Sequence, residues 1–256
     1  SEAEVDKLMK EYESLYDMSQ VKGSEEKMEA VRYQARIEAA LRAFMAQGNY
    51  EAFTTTFEDL HGLKQLPGLA SQRIMESGYG FGAEGDWKTS AFVRLVKIMA
   101  DGKATSFMED YTYNLEPGNE INLGAHMLEI CPTIAAGKPR IEVHALGIGG
   151  KSDPARLVFD SAAGPAVCAS LIDLGNRFRL IISVVDTVEA THDMPKLPVA
   201  RVLMKPQPSL SVAAEAWIHA GGAHHTVYSQ NVTVEQLTDW AEMSGIECIV
   251  IDKDTK

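Results

Sequence analysis

The sequence changes texture near residue 103, and that change limits the folds open to it more than any single motif does. Before it, apolar residues recur with the period of a helix. Val5, Leu8, Met9, Tyr12, Leu15 and Tyr16 fall at i, i+3, i+4 and i+7 spacing, which lines one apolar stripe on a charged helix. Ser24, after Gly23, has the chemistry of an N-cap and predicts a second helix to about Gly48, with Met28, Val31, Leu41, Phe44 and Met45 turned inward. The β-branched and aromatic run Ala52 to Phe57 predicts a strand. Helices are expected over about Leu69 to Glu76 and Trp87 to Ala100, the second burying Phe92, Val93, Val96 and Met99 and stopping at Gly102. Helix, strand, helix, short strand, helix is the rhythm of an α/β layer.

After residue 103 the period becomes two. Thr105, Phe107, Glu109, Tyr111 and Tyr113 alternate with Ser106, Met108, Asp110 and Thr112, as in a two-faced strand. Further strands are expected at Arg140 to Leu146, Leu157 to Asp160, Arg177 to Asp186, Val199 to Met204 and Glu215 to His219, separated by Pro and Gly. Such spacing predicts an antiparallel barrel or sandwich. One closing helix opens on the capping box Thr233-Val234-Glu235-Gln236 and ends at Gly245, and Ile246 to Ile251 forms a last strand.

Composition narrows the function classes. The 256 residues suffice for one large or two small domains, and 45% apolar with 23% charged residues excludes a disordered chain. A net charge of -12 argues against nucleic acid and anionic membrane as partners. The longest apolar run, Leu180 to Val185, is strand-sized, so no membrane span is expected. The acidic start Ser1-Glu2-Ala3-Glu4 does not read as a signal peptide, and its lack of Met points to cleavage or excision from something longer. Cys131, Cys168 and Cys248, without C-x-x-C spacing, suggest a reducing, cytoplasmic setting and argue against a structural zinc site.

Several constellations could carry chemistry. Gly80-Phe81-Gly82-Ala83-Glu84-Gly85 matches G-x-G-x-x-G, but Glu84 would place an anion in a pyrophosphate cradle. The alternative is a turn that sets Glu84 just before a helix, at its positive end. Leu146-Gly147-Ile148-Gly149-Gly150-Lys151 reads as a β-turn. Glu109 shares a strand face with Phe107 and Tyr111, and His126 lies in an apolar stretch; each alone reads more readily as a structural residue than as a ligand. In His224-His225, strand neighbours would face opposite ways, so at most one enters a given site directly. Two Glu with one or two His form a mixed oxygen and nitrogen set suited to Mn, Fe, Co, Ni or Zn. Neither a G-x-S-x-G elbow nor a Walker A motif is present.

Read together, the longer motifs resemble the L-arabinose isomerase family. They are FTTTFEDLHGLKQLPGLA (Phe53 to Ala70), GYGFGAEGDWKT (Gly78 to Thr89), TSFMEDYTY (Thr105 to Tyr113), LGAHMLEICP (Leu123 to Pro132), LGIGGKSDPARL (Leu146 to Leu157), MPKLPVAR (Met194 to Arg201) and AEAWIHAGGAHHTVYS (Ala214 to Ser229). The resemblance implies a divalent metal, Mn²⁺ with Co²⁺ as the alternative, held by Glu84, Glu109, His126 and His225. It implies aldose–ketose isomerisation of L-arabinose, and of D-galactose to D-tagatose, with Glu84 and Glu109 as acid–base groups. It gives Phe57, Ile148 and His224 as substrate contacts. It further implies a mixed α+β architecture: residues 1–103 the remainder of a middle α/β (Rossmann-like) domain, and 104–256 an antiparallel β-barrel domain with a capping helix. Family members carry additional domains ahead of the position of Ser1 and a final segment beyond that of Lys256. A neighbouring subunit completes their pocket, so a homo-oligomer acting on a small sugar is expected, and the alternative is an incomplete fragment that binds metal or sugar.

Overall fold

The computed structural model describes residues 1–256. Helix α1 (Glu2–Leu15) starts on a capping box between Ser1 and Glu4 and buries Val5, Leu8 and Tyr12. Helix α2 (Glu25–Gly48) is capped by Ser24, whose hydroxyl accepts from the Lys27 amide, and ends at Asn49 in the left-handed region. Phe44 does not turn inward: it is 61% exposed and stacks on exposed Tyr50, with ring centroids 5.4 Å apart. It sits about 100° round the helix from buried Met45, off the inward stripe.

Strands β1 (Ala52–Thr55) and β2 (Gly80–Ala83) pair in parallel, with α3 (Gly68–Glu76) between them in the chain. Helix α4 (Trp87–Met99) then packs back against β2. The approach is too close for side chains: a Cβ at Gly80 would lie 2.1 Å from the Ser90 carbonyl oxygen, and one at Gly82 2.3 Å from that of Asp86. The first two glycines of the G-x-G-x-x-G run therefore serve helix–strand packing, with both residues enclosed by protein.

The remaining strands are β3 (Thr105–Asn114), β4 (Ile121–Ala125), β5 (Arg140–Val143), β6 (Ala155–Val158), β7 (Gly164–Asp173), β8 (Phe178–Val188), β9 (Arg201–Pro206), β10 (His225–Ser229) and β11 (Glu247–Ile251). Strands β5 and β6 form a separate antiparallel pair. The other seven make one mixed sheet in the order β11-β8-β7-β10-β3-β4-β9, in which β9 also pairs with β8. Strand β11 runs parallel to β8, and the other pairings are antiparallel.

Two expectations change here. Glu215 to His219 is not a strand but part of helix α5 (Leu210–Ala220), fixed at its ends by the Ser209 cap on the Val212 amide and by left-handed Gly221. Two helices, α5 and α6 (Val234–Met243), therefore accompany the sheet instead of one. The sequence reading also named no strand at β4, β7 or β10; β7 is built from Ala166, Val167, Cys168, Ala169 and Ser170, all buried, so no polar alternation marks it.

The core does not divide at residue 103. One cluster joins Val5, Leu8 and Tyr12 to Met108, Leu157, Ala166 and Tyr228. A second joins Met75, Phe81, Phe92 and Val93 to Phe107, Val167, Leu180 and Leu237. The helical layer is thus seated directly on the sheet, which brings the end of β2 over the centre of β3. No helix is long and apolar enough to cross a membrane.

Candidate metal centre

Strand order sets three side chains in a row. His225 on β10 lies opposite Glu109 on β3, and Glu109 lies opposite Ala125 on β4, with His126 the next residue in the chain. Adjacent strands are about 4.8 Å apart, which brings His225 and Glu109 within reach of each other, and His126, just past the end of β4 and so outside its alternation, turns its ring to the same side. Alternation along β3 sorts the rest: Met108 and Asp110 line a different, largely apolar cleft with Cys168, Met204 and Trp217. Phe107 is fully buried beneath the site and meets both imidazoles edge-on, with centroids 5.1 Å from His126 and 5.0 Å from His225. The two imidazole centroids are 6.0 Å apart.

Glu84 arrives from the other layer. It follows β2 and precedes α4, at the carboxyl end of a parallel strand, where α/β proteins place ligands. Its φ is +58°, a left-handed conformation that costs a non-glycine residue about 1–3 kcal/mol. Gly85 continues the turn at +80°. Hydrogen bonds from the Gly85 amide to the Thr55 carbonyl (3.1 Å) and from the Asp86 amide to the Ala83 carbonyl (3.0 Å) hold this backbone in place. The Glu84 carboxylate lies 3.6 Å from His225 Nε2, and that of Glu109 lies 4.0 Å from His126 Nε2.

Each buried imidazole is fixed from behind by a carboxylate. His126 Nδ1 donates to Glu129 at 2.5 Å, and His225 Nδ1 donates to Asp86 at 3.1 Å. An ionised carboxylate only accepts, so both rings carry their proton on Nδ1 and present a bare Nε2. His225 Nε2 is buried and has no hydrogen-bond partner. Such an orphan costs about 1–3 kcal/mol unless something occupies its lone pair. Carboxylate-backed imidazoles with unpaired Nε2 lone pairs are the arrangement metal-ligating histidines adopt, so the residues present fit a divalent cation.

The electrostatics agree. Burial alone would lower the His126 pKa, but the charge and hydrogen bond of Glu129, with Glu109 and Glu84 beyond, outweigh it and raise it above its ordinary value. At Asp86 burial would raise the pKa, yet the hydrogen bonds from His225 and Thr89 prevail and hold the carboxyl well below the usual range.

His224 behaves differently from the strand-alternation expectation. It stands one residue before β10, so the two-fold alternation does not govern it, and its ring lies 4.2 Å from that of His225. Its Nε2 is 3.9 Å from the Glu84 carboxylate, and ligand atoms of Glu84, His224 and His225 all lie within 4.8 Å of one another. Phe57 and Ile148 line one cleft together with Glu84 and His126. Sequence reasoning missed Asp86 and Glu129. Their signals were Asp86 at the N-cap of α4, three residues before Thr89, and Glu129 three residues after His126.

The fold is that of a mixed α/β protein, with a candidate oxygen- and nitrogen-donor cluster where the helical layer meets the sheet. Residues 1–102 match the L-arabinose isomerase central domain, and residues 104–247 match the L-arabinose isomerase C-terminal domain. The chain is 68% identical over 256 residues to the L-arabinose isomerase of Geobacillus stearothermophilus, covering 100% of this chain and 52% of that protein. It is 63% identical over 256 residues to that of Clostridium beijerinckii, again 100% of this chain and 52% of the relative. With the L-arabinose isomerase of Bacillus subtilis it shares 62% identity over 253 residues, 98% of this chain and 51% of the relative. The chain belongs to the L-arabinose isomerase family, and it spans about half the length of these relatives.

Proposed function

We propose that the chain is the metal-bearing part of a cytoplasmic, homo-oligomeric L-arabinose isomerase that converts L-arabinose to L-ribulose, and D-galactose to D-tagatose, through an enediol. Its proposed cofactor is Mn²⁺, with Co²⁺ as the alternative, held by Glu84, Glu109, His126 and His225. What supports this is that Glu84 approaches His225 and Glu109 approaches His126, with His225 and Glu109 opposite each other on paired strands, in a chain that aligns along its whole length with about half of each relative. Residues 1–103 are read as the remainder of the central domain and 104–256 as the C-terminal domain. The succession of antiparallel pairings from β8 through β7, β10, β3, β4 and β9 back to β8 supports the barrel reading of the latter.

The bound cation would supply charge stabilisation for the anion that develops across the two substrate oxygens. The protein does the proton work. One of Glu84 and Glu109 takes the proton from the hydroxyl-bearing carbon and returns it to the carbonyl carbon, while the other moves the hydroxyl proton. Both are partly exposed, unlike the two buried imidazoles. Asp86 and Glu129 keep the imidazoles in one tautomer and orientation. Phe57 and Ile148 give the sugar an apolar wall, and His224 a polar contact.

A second reading is a fragment that binds metal or sugar without turning the sugar over by itself, the chain spanning about half the length of its relatives. Incubation with L-arabinose and Mn²⁺, with and without chelator, separates the two. Chelator-sensitive L-ribulose above a Glu84→Gln control supports the enzyme. No ketose above that control overturns it for this chain and leaves the fragment.

A further inference from the structure

His224 has no place in the four-residue centre, yet it stands closer to Glu84 and His225 than a surface residue requires. We infer that Glu84, His224 and His225 form an outer position for the divalent cation, which the ion occupies before passing to the inner position made by Glu84, Glu109, His126 and His225. This rests on the metal reading above and deepens it.

The geometry suits an ion. The Glu84 carboxylate is 3.9 Å from His224 Nε2 and 3.6 Å from His225 Nε2, and one ligand atom from each residue fits within 4.8 Å of the others. Around a cation with bonds of about 2.1 Å, neighbouring ligand atoms lie about 3 Å apart, so each of the two Glu84 contacts needs to close by less than about 1 Å. The second observation is the bare, buried Nε2 of His225, which has no partner and lies between the two sets.

Exposure falls along the same line. The side chain of His224 is 58% exposed, Glu84 38%, Glu109 24%, and His126 and His225 6% each. An ion arriving from water meets His224 and Glu84 first and the buried imidazole of His126 last. The outer position offers three protein ligands, so an ion there keeps more of its water than at the inner one, which offers four. His225 has one free lone pair, because its Nδ1 is committed to Asp86. It can hold one ion at a time, so the two positions are alternatives in sequence and not the halves of a binuclear centre.

The fold also presents His224 deliberately. A Cβ at Gly222 would lie 2.1 Å from the Trp217 ring, and Trp217 Nε1 donates to the Ala223 carbonyl at 3.1 Å. The indole therefore fixes the turn that carries His224 while leaving its ring in solvent.

The test is metal uptake without sugar. Metal-free protein is mixed with Co²⁺ in a stopped-flow instrument, and the visible absorption of the bound ion is followed for wild type, His224→Ala, His224→Asp and His126→Ala. Expected are a fall of about tenfold in the His224→Ala loading rate, with little change in final affinity, and recovery in His224→Asp, which restores a ligand. His126→Ala should keep the rapid first phase and lose tight binding. A role confined to sugar contact would leave uptake untouched. His224→Ala loading at the wild-type rate overturns the outer position alone; wild type taking up no Co²⁺ overturns the metal reading and this inference with it.

Discussion

Asp86 carries two duties that substitution can separate. One carboxylate oxygen accepts from the Thr89 amide at 3.0 Å, capping α4; the other accepts from the Thr89 hydroxyl at 2.6 Å and from His225 Nδ1 at 3.1 Å. Asp86→Ala removes everything: the lost cap is worth about 1 kcal/mol, which lowers Tm by about 2–4 °C in a chain of this size. Asp86→Asn keeps an oxygen for the Thr89 amide, and Asn caps helices about as well as Asp. Its amide nitrogen, however, meets the His225 Nδ1 proton with another donor. The imidazole must then move its proton to Nε2, the atom that faces the centre. The account predicts that metal-free Asp86→Asn melts within about 2 °C of wild type while its Mn²⁺ affinity falls by about 10- to 100-fold. Thermal unfolding followed by circular dichroism and Mn²⁺ titration by electron paramagnetic resonance read the two effects independently. Because the Asp86 pKa is depressed, its stabilising charge is complete above the unfolded value of about 4 and lost only as pH falls through the folded one, so the melting comparison should not vary between about pH 6 and 8. Wild-type Mn²⁺ affinity in Asp86→Asn would refute the orientation argument.

Other expectations follow from the same structure. Because the His126 pKa is raised, protons compete with metal for its Nε2 as pH falls, so Mn²⁺ affinity should weaken towards acid; a Mn²⁺ affinity that does not change as pH falls through that pKa would contradict the assignment. Glu129→Gln removes the largest influence raising that pKa and should shift the midpoint of this pH dependence downward; an unmoved midpoint would show that Glu129 does not set it. Gly82→Ala forces a methyl to within 2.3 Å of the Asp86 carbonyl oxygen and should cost about 1–3 kcal/mol, whereas Gly147→Ala, with nothing within 4 Å, should melt near wild type. Equal melting temperatures for the two variants would remove the close-packing reading of β2 and α4.

What the sequence revealed depended on whether the signal was local. Caps at Ser24 and Thr233 and the apolar stripe of α1 act within a few residues, and those helices lie where expected. Helix α5 was misread because Glu215 to His219 is a short apolar run whose end signals, Ser209 and Gly221, stand outside it. Strand β7 gave no alternation because both of its faces are covered along Ala166 to Ser170. At the candidate centre the residue types were legible, but their meeting was not. Placing His225 beside Glu109 requires the pairing of β10 with β3, a contact between segments far apart in the chain. The family resemblance supplied the four names, whereas the carboxylates behind them, Asp86 and Glu129, emerged only from hydrogen-bond geometry.

The claim on which the rest depends is that four side chains from two layers share one divalent cation. Anomalous diffraction from crystals of the protein grown with Mn²⁺ tests it most directly. The account predicts a single strong peak about 2.0–2.3 Å from carboxylate oxygens of Glu84 and Glu109 and from Nε2 of His126 and His225. A peak bound elsewhere, or density at this place that contacts neither imidazole, would contradict it.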